Sequence, residues 1–115
     1  MEKIKKPIKK NDKELWDLIA EKISNSDYVF ALHAKDRQKT RNVTDIDVLD
    51  ILENKENRKR KRNKRKDIYI KGYQDWNYCI EGLDLDENNI RIIVSFNDEL
   101  MMVVTVVRFG AGENR

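Results

Sequence analysis

The apolar residues of this chain change their spacing partway along it. In the first half they recur three and four residues apart, as in Leu15, Leu18, Ile19 and Ile23. After residue 66 they alternate with polar residues, or run as β-branched blocks such as Val103-Val104-Thr105-Val106-Val107. The first spacing suits amphipathic helices and the second suits strands. Helices first and strands after place the chain in the α+β class.

Local signals divide the two halves into elements. Asn11-x-x-Glu14 reads as a capping box, so a first helix starts at Asn11 or Asp12, with Trp16 beside its apolar stripe. The Ser24-Asn25-Ser26-Asp27 run ends it. Tyr28 to Arg41 is read as a second helix, because residues 31–38 lack β-branched side chains; its short apolar start also fits a strand. Thr44 caps a third helix, Asp45 to Glu53, with Asp45 and Asp47 at its positive end. Four strands are expected next: Asp67 to Lys71, Trp76 to Leu85, Ile90 to Phe96 and Leu100 to Phe109. Short turns between the later strands predict an antiparallel meander. The expectation is two to three N-terminal helices against a four-stranded antiparallel sheet. Residues 1–10 read as a flexible basic arm, 11–109 as one domain and 110–115 as a tail.

Charge is distributed unevenly. The chain has 24 Lys and Arg and 21 Asp and Glu; residues 55–66 hold nine of the former and one of the latter, leaving 15 against 20. The body is thus mildly acidic and the basicity is a single loop between helices and sheet. Arg58, Lys59, Arg60, Lys61, Arg62, Lys64, Arg65 and Lys66 form a patch suited to a polyanion such as RNA. No aromatic residue interrupts it, so it would hold backbone rather than read bases. Cys79 is the lone cysteine, which excludes an internal disulfide and a multi-cysteine metal site. No apolar run approaches the roughly 20 residues that span a bilayer, so a cytoplasmic protein is the expectation. Gly-rich phosphate loops and metal-spaced histidine pairs are missing, and no cofactor or metal is called for. The triplet Asp84-x-Asp86-x-Asn88 resembles the start of a calcium loop, but Asn89 and Ser95 stand where that loop needs Gly and Glu.

One constellation has the parts for acid–base chemistry near neutral pH. His33, the only histidine, is followed at intervals of four by Arg37 and Arg41. On a helix four residues advance about 400°, so the three side chains stack along one face. Imidazoles titrate near neutrality, and guanidinium groups suit phosphate.

From here the chain resembles a known family. His33-Ala34-x-x-Arg37-x-x-x-Arg41 leads into Asn42-Val43-Thr44 and an acidic amphipathic helix. A basic loop, Ile80-Glu81-Gly82, Ile90-Arg91-Ile92-Ile93-Val94 and the 103–107 block follow in order. This order resembles a small bacterial domain family of unknown function with the pattern H-A-x-x-R-x-x-x-R-G-I. That family is allied to the RelE-like toxin fold, which includes barnase-like and colicin-type ribonucleases. The chain departs from it in two places: Asn42-Val43 replaces Gly-Ile, and Val107 stands where an aromatic residue is common.

The resemblance implies a toxin-type RNA endonuclease of the messenger-cleaving kind, metal-independent and restrained by a cognate antitoxin protein. His33 would be the acid or base, Arg37 and Arg41 would hold the phosphate, and Thr105 would help position it. Arg108 lies on the same expected strand. Glu81 and Tyr78 are open choices for the second proton-transfer group. RNA, free or ribosome-bound, is the implied partner. The alternatives are a non-catalytic RNA- or ribosome-binding module using the basic loop, and a small protein–protein interaction domain.

Overall fold

The computed structural model describes residues 6–41, 43–57 and 60–109; Arg41 is placed by its backbone alone. Helix α1 (Asp12–Ser24) opens as its capping box requires: the Glu14 N–H donates to Asn11 Oδ1 at 2.8 Å, and the Asn11 N–H donates to Glu14 Oε1 at 2.9 Å. Ser26 takes a positive φ of 59° after the helix, and the chain turns into strand β1 (Tyr28–Phe30). Helix α2 (Leu32–Arg41) follows directly. Thr44 then caps α3 (Asp45–Glu53) in a second capping box, with Asp47 as its partner.

The expected second helix is therefore a strand followed by a helix. Tyr28–Phe30 is apolar and three residues long, and only its pairing partner decides its state. That partner is β5 (Met101–Phe109), with which β1 runs parallel: Tyr28 opposite Met101 and Phe30 opposite Val103. The remaining strands are β2 (Lys61–Arg62), β3 (Tyr78–Leu83) and β4 (Asn89–Phe96), in the sheet order β1-β5-β4-β3-β2. The sheet has five strands rather than four, and it is mixed rather than antiparallel. Two of its strands were not expected, and the helices do not all precede the sheet. The strand expected at 67–71 is reduced to one antiparallel bridge, Ile68 with Asn77.

All three helices pack on one face of the sheet. Leu15 and Ile19 of α1, Ala34 of α2 and Val48, Ile51 and Leu52 of α3 join Tyr78, Ile80, Ile90, Ile92, Val94, Met101, Val103 and Val106 in one buried core. The β3–β4 hairpin sets the sheet's register. Its turn is organised by Asp84, whose Oδ1 accepts the N–H groups of Asp86 and Asn88 at 2.9 and 2.8 Å. The calcium-like triplet is thus a turn. Tyr78 and Ile80 face the helices, while Cys79 and Glu81 face the other side. Between β4 and β5 the register shifts at Ile93 and Val94, which leaves Val104 of β5 unmatched.

Residues 6–10, within the expected basic arm, lie along the opening of β3. The Trp76 Nε1–H donates to the Pro7 carbonyl at 2.8 Å, and the Lys6 and Lys9 ammonium groups sit 4.8 and 4.7 Å from the centre of its ring. Lys10 Nζ pairs with Asp75 at 2.7 Å.

Candidate functional site

Ala34 and Gln38 form the buried stripe of α2. His33 and Arg37 each precede one of them by a single residue, about 100° around the axis, and so lie together on a flank of the helix. His33 is exposed and Arg37 half-buried; the Arg37 Nε–H donates to His33 Nε2 at 3.5 Å. Arg41 follows on the same helix, and its side chain lies outside the described residues.

The opposite flank locks α2 to α3. Lys35 Nζ donates to both oxygens of Asp45, at 2.8 and 2.9 Å, and Gln38 Nε2 donates to Asp45 Oδ1 at 2.6 Å. The Lys35 hydrogen bond, helped by Gln38, outweighs burial and holds the Asp45 carboxyl below the usual carboxylate range. The row is thus carried on a helix anchored by its buried stripe and by the flank opposite the row.

Thr105 does not join it. Thr105 is opposite Ile93, between the core pairs Val94–Val103 and Ile92–Val106, so it faces away from the helices. The sheet separates it from Ala34 and its neighbours on α2. On that outer face Thr105 is diagonal to Arg91, whose Nε–H donates to Glu81 Oε2 at 2.9 Å. The Arg91 guanidinium also covers the Phe109 ring at 4.3 Å. Arg91 is a residue that sequence reasoning passed over. Its signal was present: the 84–88 turn sets residues 81 and 91 opposite each other, with opposite charges.

The two choices for a second proton-transfer group now have surroundings. Glu81 is buried; burial would raise its pKa, but hydrogen bonds from Asn63 and Arg91 and the Lys61 charge outweigh that and hold it low. It is a carboxylate at neutral pH that positions Arg91. Tyr78 is fully buried among core residues, donates to Asp75 Oδ1 at 2.7 Å, and has its pKa raised first by burial. Neither lies on the His33 flank. Burial, followed by the charge of Glu81, pushes the Cys79 thiol up to about 12, so it stays protonated and unreactive.

The basic run divides. Arg58 and Lys59 lie outside the described residues. Arg60 is half-buried: its guanidinium carbon stacks 3.9 Å over the Trp16 ring, and Nη2 donates to the Leu52 carbonyl at 3.0 Å. The Arg62 side chain is 2% exposed and is paired with Asp67 and Asp12. Lys61 reaches Glu81 at 3.8 Å and Lys64 reaches Asp12 at 3.4 Å, both from exposed positions. Arg65 and Lys66 are exposed and make no ion pair among the described residues. The run borders β3 at one edge of the sheet, whereas α2 packs against β5. Three strand spacings, roughly 14 Å, separate β2 from β5.

The family model DUF4258, a domain of unknown function, matches residues 30–108. The chain belongs to this family. The match extends from the end of β1 nearly to the end of β5, taking in the His33 row, the basic run and Thr105 and leaving α1 outside. Comparison with curated proteins and with solved structures gives no match. Among the described residues, no three His, Cys, Asp or Glu come together to hold a metal ion, and no helix is long and apolar enough to cross a membrane.

Proposed function

We propose that this member of the DUF4258 family is a toxin-type RNA endonuclease, akin in fold to the RelE-like ribonucleases and acting in the cytoplasm. The observation that carries this reading is the pair on α2: an exposed imidazole beside an arginine, on a helix held rigid by Lys35, Gln38 and Asp45. In the reaction a base takes the proton of the ribose 2′-OH, and the freed oxygen attacks the adjacent phosphorus. The P–O5′ bond breaks, a 2′,3′-cyclic phosphate forms, and an acid protonates the departing 5′ oxygen. His33 takes one of these proton-transfer roles. Arg37 stabilises the charge on the phosphate, with Arg41 following it on the helix. A cognate antitoxin protein restrains the activity. Thr105, on the outer face beside Arg91, belongs to a separate contact and not to this constellation.

The test is expression of wild type, His33→Ala and Arg37→Ala, with growth and total RNA followed and the 3′ ends of fragments mapped. Growth arrest with cyclic-phosphate ends, lost in His33→Ala, is the expected result. Arrest that survives both substitutions refutes catalysis at this face. A second reading, a non-catalytic RNA-binding module, is favoured by the exposed Arg65 and Lys66, which make no ion pair among the described residues. Under that reading RNA binding depends on these two residues and the RNA stays intact.

A further inference from the structure

Residues 67–71, Asp-Ile-Tyr-Ile-Lys, have the composition and alternation of a strand, yet the chain pairs only one of them. Ile68 exchanges both backbone hydrogen bonds with Asn77: the Ile68 N–H donates to the Asn77 carbonyl at 3.0 Å, and the Ile68 carbonyl accepts the Asn77 N–H at 2.8 Å. Residues beside such a pair turn their N–H and C=O the other way. The N–H and C=O of Tyr69 therefore point away from β3, along the edge that β2 occupies further on, and have no backbone partner among the described residues.

This stretch is held in place. The Tyr69 ring packs against Trp76 at 6.0 Å between centroids, and its hydroxyl donates to the Tyr73 carbonyl at 3.2 Å. The alternate side chains are left to solvent: Ile68 is 55% exposed and Ile70 41%. Cations flank them. Lys64, Arg65 and Lys66 form a single exposed 3-10 turn just before, and Lys71 follows. Of these only Lys64 has an ion pair among the described residues.

We propose that this edge takes an added β-strand from another protein, one whose carboxylates alternate with aliphatic residues. The inference goes beyond the ribonuclease reading and stands without it. An edge with open backbone groups and two exposed isoleucines offers what strand addition uses: main-chain hydrogen bonds and alternate side-chain contacts. The cations at both ends select acidic flanks. RNA would use the cations and leave the isoleucines and the amide edge unmatched. A second copy of the chain would bring like charges together at this edge.

The probe is a capped seven-residue peptide alternating Glu and Val, titrated into the isotope-labelled full chain and followed by amide resonances. The expected result is saturable shifts centred on Tyr69 and Lys71, with affinity falling about tenfold or more between roughly 50 and 300 mM salt. Ile70→Glu, and the pair Lys66→Glu with Lys71→Glu, should each weaken binding by about tenfold or more. Their exposed positions leave unfolding unchanged within about 0.5 kcal/mol, which separates lost binding from lost folding. Absence of shifts at these amides overturns the proposal, as does equal binding of a Lys-Val peptide. Displacement of the peptide by a uridine oligonucleotide at the same amides, or self-association of the free chain through them, overturns it equally.

Discussion

Arg62 separates a structural cation from a ligand-binding one, and Arg62→Ala tests which it is. Its Nε and Nη2 donate to Asp67 Oδ2 at 3.2 and 2.9 Å, and the Asp67 side chain is fully buried. The other Asp67 oxygen accepts the Cys79 N–H at 2.9 Å, so the carboxylate is tied to β3 and cannot swing out to water. Removing Arg62 leaves a buried charge, which costs about 3–5 kcal/mol. Lys9, 3.6 Å away and partly exposed, offsets some of this, and the bond to the exposed Asp12 contributes little. The expected loss is about 3 kcal/mol, or about 12 °C in Tm for a domain of this size. Urea and thermal unfolding measure it. The double variant Arg62→Ala with Asp67→Asn should regain about 1–2 kcal/mol, because the neutral amide still accepts from Cys79 and buries no charge. Arg65→Ala and Lys66→Ala should stay within about 0.5 kcal/mol of wild type. An Arg62→Ala protein of wild-type stability that has lost only RNA affinity would refute the reasoning.

Two further outcomes follow from the core and the outer face. A Cβ on Gly82 would stand 2.7 Å from Ile51 Cγ2, inside a fully buried contact. Gly82→Ala should therefore destabilise by about 1–3 kcal/mol, and a double-mutant cycle with Ile51→Ala should show coupling of about 1 kcal/mol or more; additive effects would contradict the close approach. Glu81→Gln should cost about 1–3 kcal/mol at pH 7 through its weakened bonds to Arg91 and Asn63. Because folding holds the Glu81 pKa below the unfolded value of about 4.3, the unfolded state binds the proton more readily. The wild-type advantage is complete above about pH 5 and shrinks as pH falls through the folded pKa. A gap that persists undiminished in acid would count against the ion pair.

Much of the architecture was legible because local signals carried it. Asn11-x-x-Glu14 and Thr44-x-x-Asp47 cap helices where their side chains say they should. Alternation in residues 78–83 assigned Tyr78 and Ile80 to one face and Cys79 and Glu81 to the other. The basic run divides for a different reason. Composition counts Arg60 and Arg62 with their neighbours, but Trp16, Leu52, Asp12 and Asp67, from distant parts of the chain, draw both inward. The His33–Arg37 row was readable from its spacing. The exclusion of Thr105 from it depended on which face of β5 the threonine occupies, and the unmatched Val104 shifts that register.

By itself, the sequence determined helix caps, the change from helical to alternating spacing, and the acidic body with its basic run, because these rest on contacts within a few residues. The tertiary structure decided that three residues at 28–30 are a parallel strand and that residues 67–71 form a single bridge in place of a full strand. It also decided which arginines are interior. Each of those outcomes depends on a partner brought close only by folding, and no local spacing encodes it.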